Sequence, residues 1–114
     1  MNHPPTKSSL SRNRRRLVET MQQLNFGRLE CLHVIGGEPS FSPAPRLVQD
    51  IKIGTAESIP RSEIGREDFV LRSSVIELFS HLERLGAGVV SAIEIRYGLP
   101  ARLILERTVE EFVQ

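Results

Sequence analysis

One stretch of this sequence occurs twice, and no other feature limits the choice of fold as strongly. "GRLECLHVIGGEP", which starts at Gly27, returns sixty-one residues later as "GVVSAIEIRYGLP", which starts at Gly88. Both stretches place a glycine, several aliphatic residues, a second glycine and a proline at the same spacing. Self-similarity at a fixed period is the sequence signature of a repeated structural unit. Any fold for this chain has to accommodate the same element twice.

The similarity continues on both sides of these stretches. An offset of 61 aligns residues 17–39 with residues 78–100 without a gap, and five aligned pairs are identical. Background composition would give roughly one or two identities in such a window. "RLVQDIKI" from Arg46 also aligns with "RLILERTV" from Arg102 if the first connection is longer. We interpret the chain as an internal duplication; the alternative is that two similar units share only a general periodicity.

Each copy has the pattern of a helix followed by two strands. In the first copy, apolar residues at intervals of three and four predict a helix from about Ser11 to Gly27. A strand is predicted from Arg28 to Ile35. "GGEPSFSPAP" at 36–45 is expected to be a long hairpin connection, because proline lacks a backbone donor. A second strand is predicted from Arg46 to Ile53.

The second copy repeats this order. A helix is predicted from near Glu67 to Leu85, a strand from Val89 to Arg96, a tight turn at "YGLP" and a last strand from Arg102 to about Val109. One helix and one hairpin bury too little apolar surface to be stable alone. The expected fold class is therefore α+β, an αββαββ tandem repeat with pseudo-twofold symmetry. Two helices would cover one face of a four-stranded antiparallel sheet.

The opposite face of that sheet is expected to be open, with alternate residues of each strand pointing to it. The residues assigned to the open face are Cys31, His33, Ile35, Asp50, Lys52, Ala92, Glu94, Arg96 and Glu106.

The length of 114 residues, with 39% hydrophobic residues, favours one domain with one core. Residues 1–10 contain two prolines and few apolar residues, so we expect a disordered arm. The remainder, 11–114, is predicted to be one domain made of two units, at about 11–53 and 67–110. A polar linker, 54–66, would join them.

Charge is unevenly distributed along the chain. Residues 1–16 carry five basic residues and no acidic residue, whereas the rest of the chain carries ten basic and all fourteen acidic residues. Arginine is suited to phosphate recognition, and on a helix Arg12, Arg15 and Arg16 would share one side. The alternative is a solvated basic terminus without such a partner. The candidate phosphate contacts are Arg12, Arg14, Arg15 and Arg16.

No catalytic motif is present in the sequence. It contains no nucleophile elbow, paired-carboxylate signature or dinucleotide fingerprint. Cys31 and His33 could share a strand face, but a zinc site usually needs four ligands and only His3 and His81 remain as further nitrogen donors. We therefore expect no metal, no cofactor and no catalytic residue, although the sequence leaves the question of enzymatic activity open. A single cysteine excludes an internal disulfide.

No run of eighteen apolar residues occurs, and the first sixteen residues contain no long apolar stretch. We therefore expect no spanning helix, no secretory signal and no membrane partner, and we predict a cytoplasmic protein.

"LNFGRLECLHVIGG" and "LGAGVVSAIEIRYG", with the return segment "RLILERTVEEF", resemble the YezD-like family of short bacterial proteins, whose function is not established. Each half of the chain would be one such unit, and together they would cover most of residues 14–112. The resemblance implies a helix followed by a hairpin in each half. It implies no activity and no site residue.

Three functions are compatible with these observations. The first hypothesis is a non-enzymatic binding or regulatory module that contacts a protein partner or a second copy of itself through a sheet face or edge. The first alternative is a nucleic-acid-binding protein that uses the basic N-terminal segment. The second alternative is a small-ligand binder or enzyme with a site near loop 36–45.

Overall fold

The computed structural model describes residues 9–54 and 72–109. In chain order the elements are α1 (Arg12–Leu24), β1 (Gly27–Ile35), β2 (Glu38–Ser40), β3 (Arg46–Gln49), α2 (Ser73–Leu85), β4 (Gly88–Arg96) and β5 (Leu99–Ile104). These two helices and five antiparallel strands confirm the α+β class. Within the described residues, neither helix is long and apolar enough to cross a membrane.

The five strands form one sheet around a central pair. The order is β2-β1-β4-β5, and β3 also pairs with β1. Leu29 lies opposite Ile93, and Leu32 lies opposite Val90. Because β4 occupies one edge of β1, strands β2 and β3 follow one another along the other edge. The sheet is therefore four strands wide.

Each helix begins and ends for a local reason. The hydroxyl of Ser11 caps α1 by accepting a hydrogen bond from a backbone N–H of the first turn, at 3.2 Å. After α1, Asn25 has a positive φ of 66° and its N–H donates to the carbonyl of Met21 at 3.0 Å. After α2, Gly86 has φ of 72° and its N–H donates to Leu82 at 3.0 Å. These C-terminal bonds use carbonyls that the helix itself leaves unpaired.

Two-residue turns close both hairpins. The central residues of the first turn, Gly36 and Gly37, have φ of 59° and 76°. Those of the second, Tyr97 and Gly98, have φ of 56° and 73°. Positive φ at both positions is the type I′ pattern, whose twist matches that of the flanking strands. The tight turn predicted at "YGLP" is confirmed. The long connection predicted at 36–45 is wrong in its first part, where the structure has a two-residue turn followed by β2.

The strand count differs from the predicted four. The return strand of the first hairpin is divided into β2 and β3 by residues 41–45, which contain two of the prolines. Proline cannot donate a hydrogen bond to a ladder, so this segment leaves the sheet and rejoins it at Arg46. β3 then ends at Gln49 rather than at Ile53. β5 covers Leu99–Ile104 instead of the predicted 102–109, because pairing resumes directly after the turn.

Both helices pack on the same face of the sheet. Their apolar residues and the inward residues of β1 and β4 form a single cluster. This core is aliphatic apart from Phe79, as the low aromatic content of the sequence suggests. Its members are Leu17, Val18, Met21, Leu24, Leu29, Leu32, Val34, Val75, Leu78, Phe79, Leu82, Val90, Ile93 and Ile95.

Several predictions lie at or beyond the limits of the described residues. The predicted arm, 1–10, lies outside them apart from Ser9 and Leu10, and the predicted linker, 54–66, apart from Gly54. The helix predicted from near Glu67 begins at Ser73 in the structure, because the residue before it is extended, with φ of −69° and ψ of 152°. The division into units at 11–53 and 67–110 stays a prediction.

Candidate functional site

The four candidate arginines lie on the first turns of α1, but the structure divides them into two groups. Arg12, Arg15 and Arg16 are exposed, whereas only 18% of the Arg14 side chain is exposed. Successive residues of a helix point about 100° apart, so Arg14 faces inward while the other three share the outer side. This placement agrees with the prediction that Arg12, Arg15 and Arg16 share one side of the helix.

Arg14 is enclosed by groups from three other elements. Its Nε lies 2.9 Å from the carboxylate of Glu38, and its Nη2 lies 2.9 Å from that of Glu83. Nη2 also donates to the carbonyl of Gly37 at 3.4 Å. The guanidinium carbon is 5.1 Å from the centroid of the Phe79 ring. A phosphate could reach Arg14 only by displacing these carboxylates, so the structure places this arginine in the framework of the fold.

Ser11 completes this arrangement. Its hydroxyl donates to Glu38 Oε1 at 2.6 Å and accepts from the backbone N–H of Arg14. The turn approaches α2 closely, since a Cβ on Gly37 would lie 3.3 Å from the Cα of Glu83. We call Ser11, Arg14, Gly37, Glu38 and Glu83 the Arg14 junction. It fixes the start of α1 against the β1–β2 turn and the last turn of α2.

Arg16 meets the segment that interrupts the return strand. Its guanidinium carbon lies 4.4 Å from the centroid of the Phe41 ring, a cation–π distance. Between α1 and this segment is a small recess, the α1 cleft, with a volume of about 140 Å³. Arg16, one of the candidate arginines, therefore lies beside loop 36–45, near which a small-ligand site is predicted. The α1 cleft is lined by Arg16, Thr20, Phe41, Ala44, Pro45 and Leu47.

The sheet face turned away from the helices carries a group of alternating charges, which we call the charged ladder. Arg28 pairs with Glu30, and Arg46 Nε lies 3.5 Å from the other oxygen of the same carboxylate. On the neighbouring strands, Arg102 Nε lies 3.6 Å from Glu94. Arg28 and Glu94 are directly opposite in the register, so the two groups adjoin.

The pairing of Arg28 with Glu30 changes the protonation equilibria of both groups. A side-chain hydrogen bond to Glu30, followed by its negative charge, raises the pKa of Arg28. The same hydrogen bond lowers the pKa of Glu30. Because both groups are at the surface, solvent screening keeps the contribution of this pair to stability small.

The strand residues on the other part of this face carry no formal charge, and we call this part the neutral band. The carboxylate of Glu106, which follows the end of β5, accepts a hydrogen bond there from the hydroxyl of Ser91 at 3.0 Å. Ile35 is 65% exposed, Val89 46% and Ile104 37%. Two predictions for the face need correction. Ala92 lies opposite Glu30 on this face but is only 8% exposed, and Asp50, Lys52 and Glu106 follow the ends of β3 and β5 rather than lying on a strand. The members of the neutral band are Cys31, His33, Ile35, Val89, Ser91 and Ile104.

A second recess, of about 390 Å³, lies at the end of the sheet beside the charged ladder. Arg28 and Arg96 line it together with Asp50 and Glu94. Its charges balance, so the recess does not favour a ligand of either sign.

The residues considered for catalysis or metal binding do not converge. His81 Nε2 is 3.7 Å from Glu77, one turn earlier on α2, beside a shallow recess of about 190 Å³. Cys31 is exposed and has a positive φ of 59°, and His33 follows it on β1. Among residues 9–54 and 72–109, no three His, Cys, Asp or Glu side chains are grouped to hold a metal ion.

Known proteins do not decide between these surfaces. No protein-family model, curated protein or solved structure matches the chain significantly. The resemblance to the YezD-like family stays a prediction that rests on the residues that carry it.

Two features of the surface were not predicted. The charged ladder has a sequence signal, since Arg28 and Glu30 are two residues apart on a strand and therefore share a face. The contact between Arg16 and Phe41 has none, because it joins a helix to a loop whose position depends on the whole fold.

Proposed function

We propose that the protein is a non-enzymatic interaction module that associates with a second copy of itself through the open face of the sheet. The observation that carries this proposal is the packing of both helices on one face. On the other face, Ile35, Val89 and Ile104 stay exposed beside the charged ladder. Large apolar side chains grouped on a surface favour a protein contact.

The area of this face is in the range that a dimer needs. β1 and β4 have nine residues each. With about 3.3 Å per residue and about 4.8 Å between strands, a sheet four strands wide presents roughly 600 Å² in projection. Specific complexes bury about 800 Å² on each partner. The projected area leaves out the uneven surface of the side chains and the adjacent loops, and these would supply much of the difference between the two areas.

The charges on this face are suited to self-association. A symmetric dimer uses the same patch on both copies, so the patch has to be complementary to itself. The ladder contains both signs, with Arg28, Arg46 and Arg102 beside Glu30 and Glu94. A copy related by a twofold axis can set arginines against carboxylates, while the neutral band provides the apolar centre.

Sedimentation velocity over a concentration series tests this function. We expect the full chain to dimerise as its concentration rises. Val89→Glu would place a charge in the neutral band and weaken the dimer roughly tenfold or more. Ile76→Glu is the matched control, because Ile76 is 38% exposed on α2, away from the open face. A monomer at every concentration, or equal effects of both variants, would contradict the proposal.

A second candidate function is nucleic-acid binding through α1. The exposure of Arg12, Arg15 and Arg16 on one side of the helix favours it, with Arg14 engaged elsewhere. Three phosphate contacts would make log K fall with log salt at a slope of about −2 for a single strand. A salt series with a labelled oligonucleotide measures that slope. A slope near zero would remove this candidate.

We also propose that the chain is a duplicated αββ unit with pseudo-twofold symmetry. The offset of 61 that aligns the sequence also relates both bounds of α1 to those of α2, and both bounds of β1 to those of β4. The same offset relates two hydrogen bonds between the halves. The N–H of Gly37 donates to the carbonyl of Gly86 at 2.7 Å, and the N–H of Gly98 donates to the carbonyl of Asn25 at 2.9 Å. In this interpretation β2 and β3 are one return strand that the proline-rich segment divides. Each unit would correspond to one YezD-like chain.

A further inference from the structure

We propose that the α1 cleft binds one base of a single-stranded nucleic acid, with the Arg16 guanidinium as the surface on which the base stacks. This inference rests on the second candidate function, and it adds a defined base site to a row of phosphate contacts.

The first argument is the position of the guanidinium plane. Arg16 lies over the Phe41 ring at 4.4 Å and is exposed, so its guanidinium stays accessible from solvent. Bases of single strands stack on aromatic rings and on arginine planes. Because Phe41 is partly buried and packs against the core, it holds the guanidinium in place before a ligand arrives.

The second argument is the size and lining of the α1 cleft. Its volume of about 140 Å³ is below the roughly 300–1,000 Å³ typical of sites that enclose a whole small ligand. One planar group of a longer ligand fits this size better. Leu47 is 51% exposed at its rim, and Pro45 adds a second apolar wall. The hydroxyl of Thr20 donates to the carbonyl of Arg16 at 2.7 Å, so it keeps acceptor capacity for an N–H group of a base.

The third argument is the arrangement of charge beside the cleft. Arg12 is one turn before Arg16 on the same side of α1, about 6 Å along the axis. Arg15 is adjacent to Arg16 and also exposed. A strand with one base in the cleft would therefore place its neighbouring phosphates near Arg12 and Arg15. Arg14 contributes indirectly, since its ion pairs fix the start of the helix.

The corresponding part of the second half has a recess of about 190 Å³, but it lacks the arginine and the loop. At the offset of 61, Ile76 and Glu77 occupy the positions of Arg15 and Arg16. The return strand of the second hairpin, β5, runs from Leu99 to Ile104 without an interrupting segment. The arginines and the loop, which are the two features that distinguish the first half, meet at the same place.

Fluorescence anisotropy tests the site with the full chain and a labelled oligo(dT) of about 12 nucleotides at about 20 mM salt. Arg16→Lys keeps the charge but removes the plane, and Phe41→Leu keeps an apolar side chain but removes the ring. We expect each to weaken binding by about 5- to 10-fold. Arg84→Lys, an exposed arginine in the last turn of α2, is the control and should leave the affinity unchanged.

Inorganic polyphosphate, which has charge but no bases, separates stacking from attraction between charges. It should bind the native chain, Arg16→Lys and Phe41→Leu with the same affinity. If oligo(dT) does not bind the native chain, both the cleft and the second candidate function are overturned. If oligo(dT) binds but Arg16→Lys has no effect, the cleft alone is overturned. Arg16→Lys leaves the core intact, so it decides the question even if Phe41→Leu does not fold.

Discussion

Arg14 and Val75 are each the third residue of a helix, and they correspond at the offset of 61, yet their surroundings differ in kind. Arg14 closes the start of α1 through ion pairs with Glu38 and Glu83. Val75 is 3% exposed and closes the start of α2 as a member of the apolar core. At the same offset Glu38 corresponds to Leu99, which also packs against that core. The start of the helix is thus held in place by ion pairs in the first half and by apolar packing in the second.

The difference shows what an enclosed ion pair adds to a fold. Apolar contact has no preferred direction, whereas a guanidinium between two carboxylates requires a specific orientation of all three groups. Such a group is costly to desolvate, so its contribution to net stability is small. We infer that the Arg14 junction sets the angle and start of α1, and with them the direction of Arg12, Arg15 and Arg16.

The largest expected effect on stability comes from placing an arginine at the start of α2, where the native chain has an apolar residue. Val75→Arg would bury a cation at a position whose surroundings offer no carboxylate at the corresponding places. We expect it to lower the free energy of unfolding by about 4 kcal/mol, measured by urea denaturation followed by circular dichroism. Adding Gln22→Glu and Leu99→Glu, which reproduce the acids of the first half, should recover part of the loss. A loss below about 1 kcal/mol for Val75→Arg alone would show that the two ends are interchangeable.

A smaller effect is expected from removing the charge in the first half. Arg14→Ala leaves Glu38 and Glu83 near each other without a cation, so we expect a loss of about 2 kcal/mol in the same assay. The triple variant Arg14→Val, Glu38→Leu, Glu83→Gln copies the second half. It should unfold within about 1 kcal/mol of the native chain, because an enclosed ion pair and apolar packing are often equivalent. A triple variant as unstable as Arg14→Ala would refute that equivalence.

The smallest effect concerns an ion pair in solvent, which serves as a reference for the enclosed one. The hydrogen bond from Arg28 lowers the pKa of Glu30 below its ordinary value of 4.5. A carboxyl group with a lowered pKa stabilises the fold above its ordinary pKa, and that contribution is lost as the pH falls through the folded pKa. Carbon-detected NMR titration of Glu30 should therefore show a higher pKa in Arg28→Gln than in the native chain. An unchanged Glu30 titration would mean that the pair does not persist in solution.

Much of the fold was predictable because the periodicity of apolar residues fixes helices and strands locally. The strand predicted from Arg28 to Ile35 is β1 with one residue added. The division of the return strand was missed because Pro39 argued against a strand. In an antiparallel pair, hydrogen-bonded and non-bonded positions alternate, and Pro39 follows the pair that closes the turn. Its missing N–H therefore points away from β1, where a ladder does not need it.

The candidate site was predictable only in part. Helical spacing correctly grouped Arg12, Arg15 and Arg16 on one side. It gave no indication that Arg14 pairs with Glu83, which is 69 residues away in the chain. Contacts between distant segments depend on how the elements pack, and one sequence alone does not contain that information in readable form.

The two hydrogen bonds that join turns to helix ends make each half depend on the other. The N–H of Gly37 satisfies a carbonyl after α2, and the N–H of Gly98 satisfies one after α1. If either half opened alone, a carbonyl of the other would lose its partner. Local opening is therefore coupled to global opening, and the two halves should unfold in a single cooperative step. In hydrogen exchange, these two glycine amides should exchange at the same slow rate as the amides in the centre of β1 and β4.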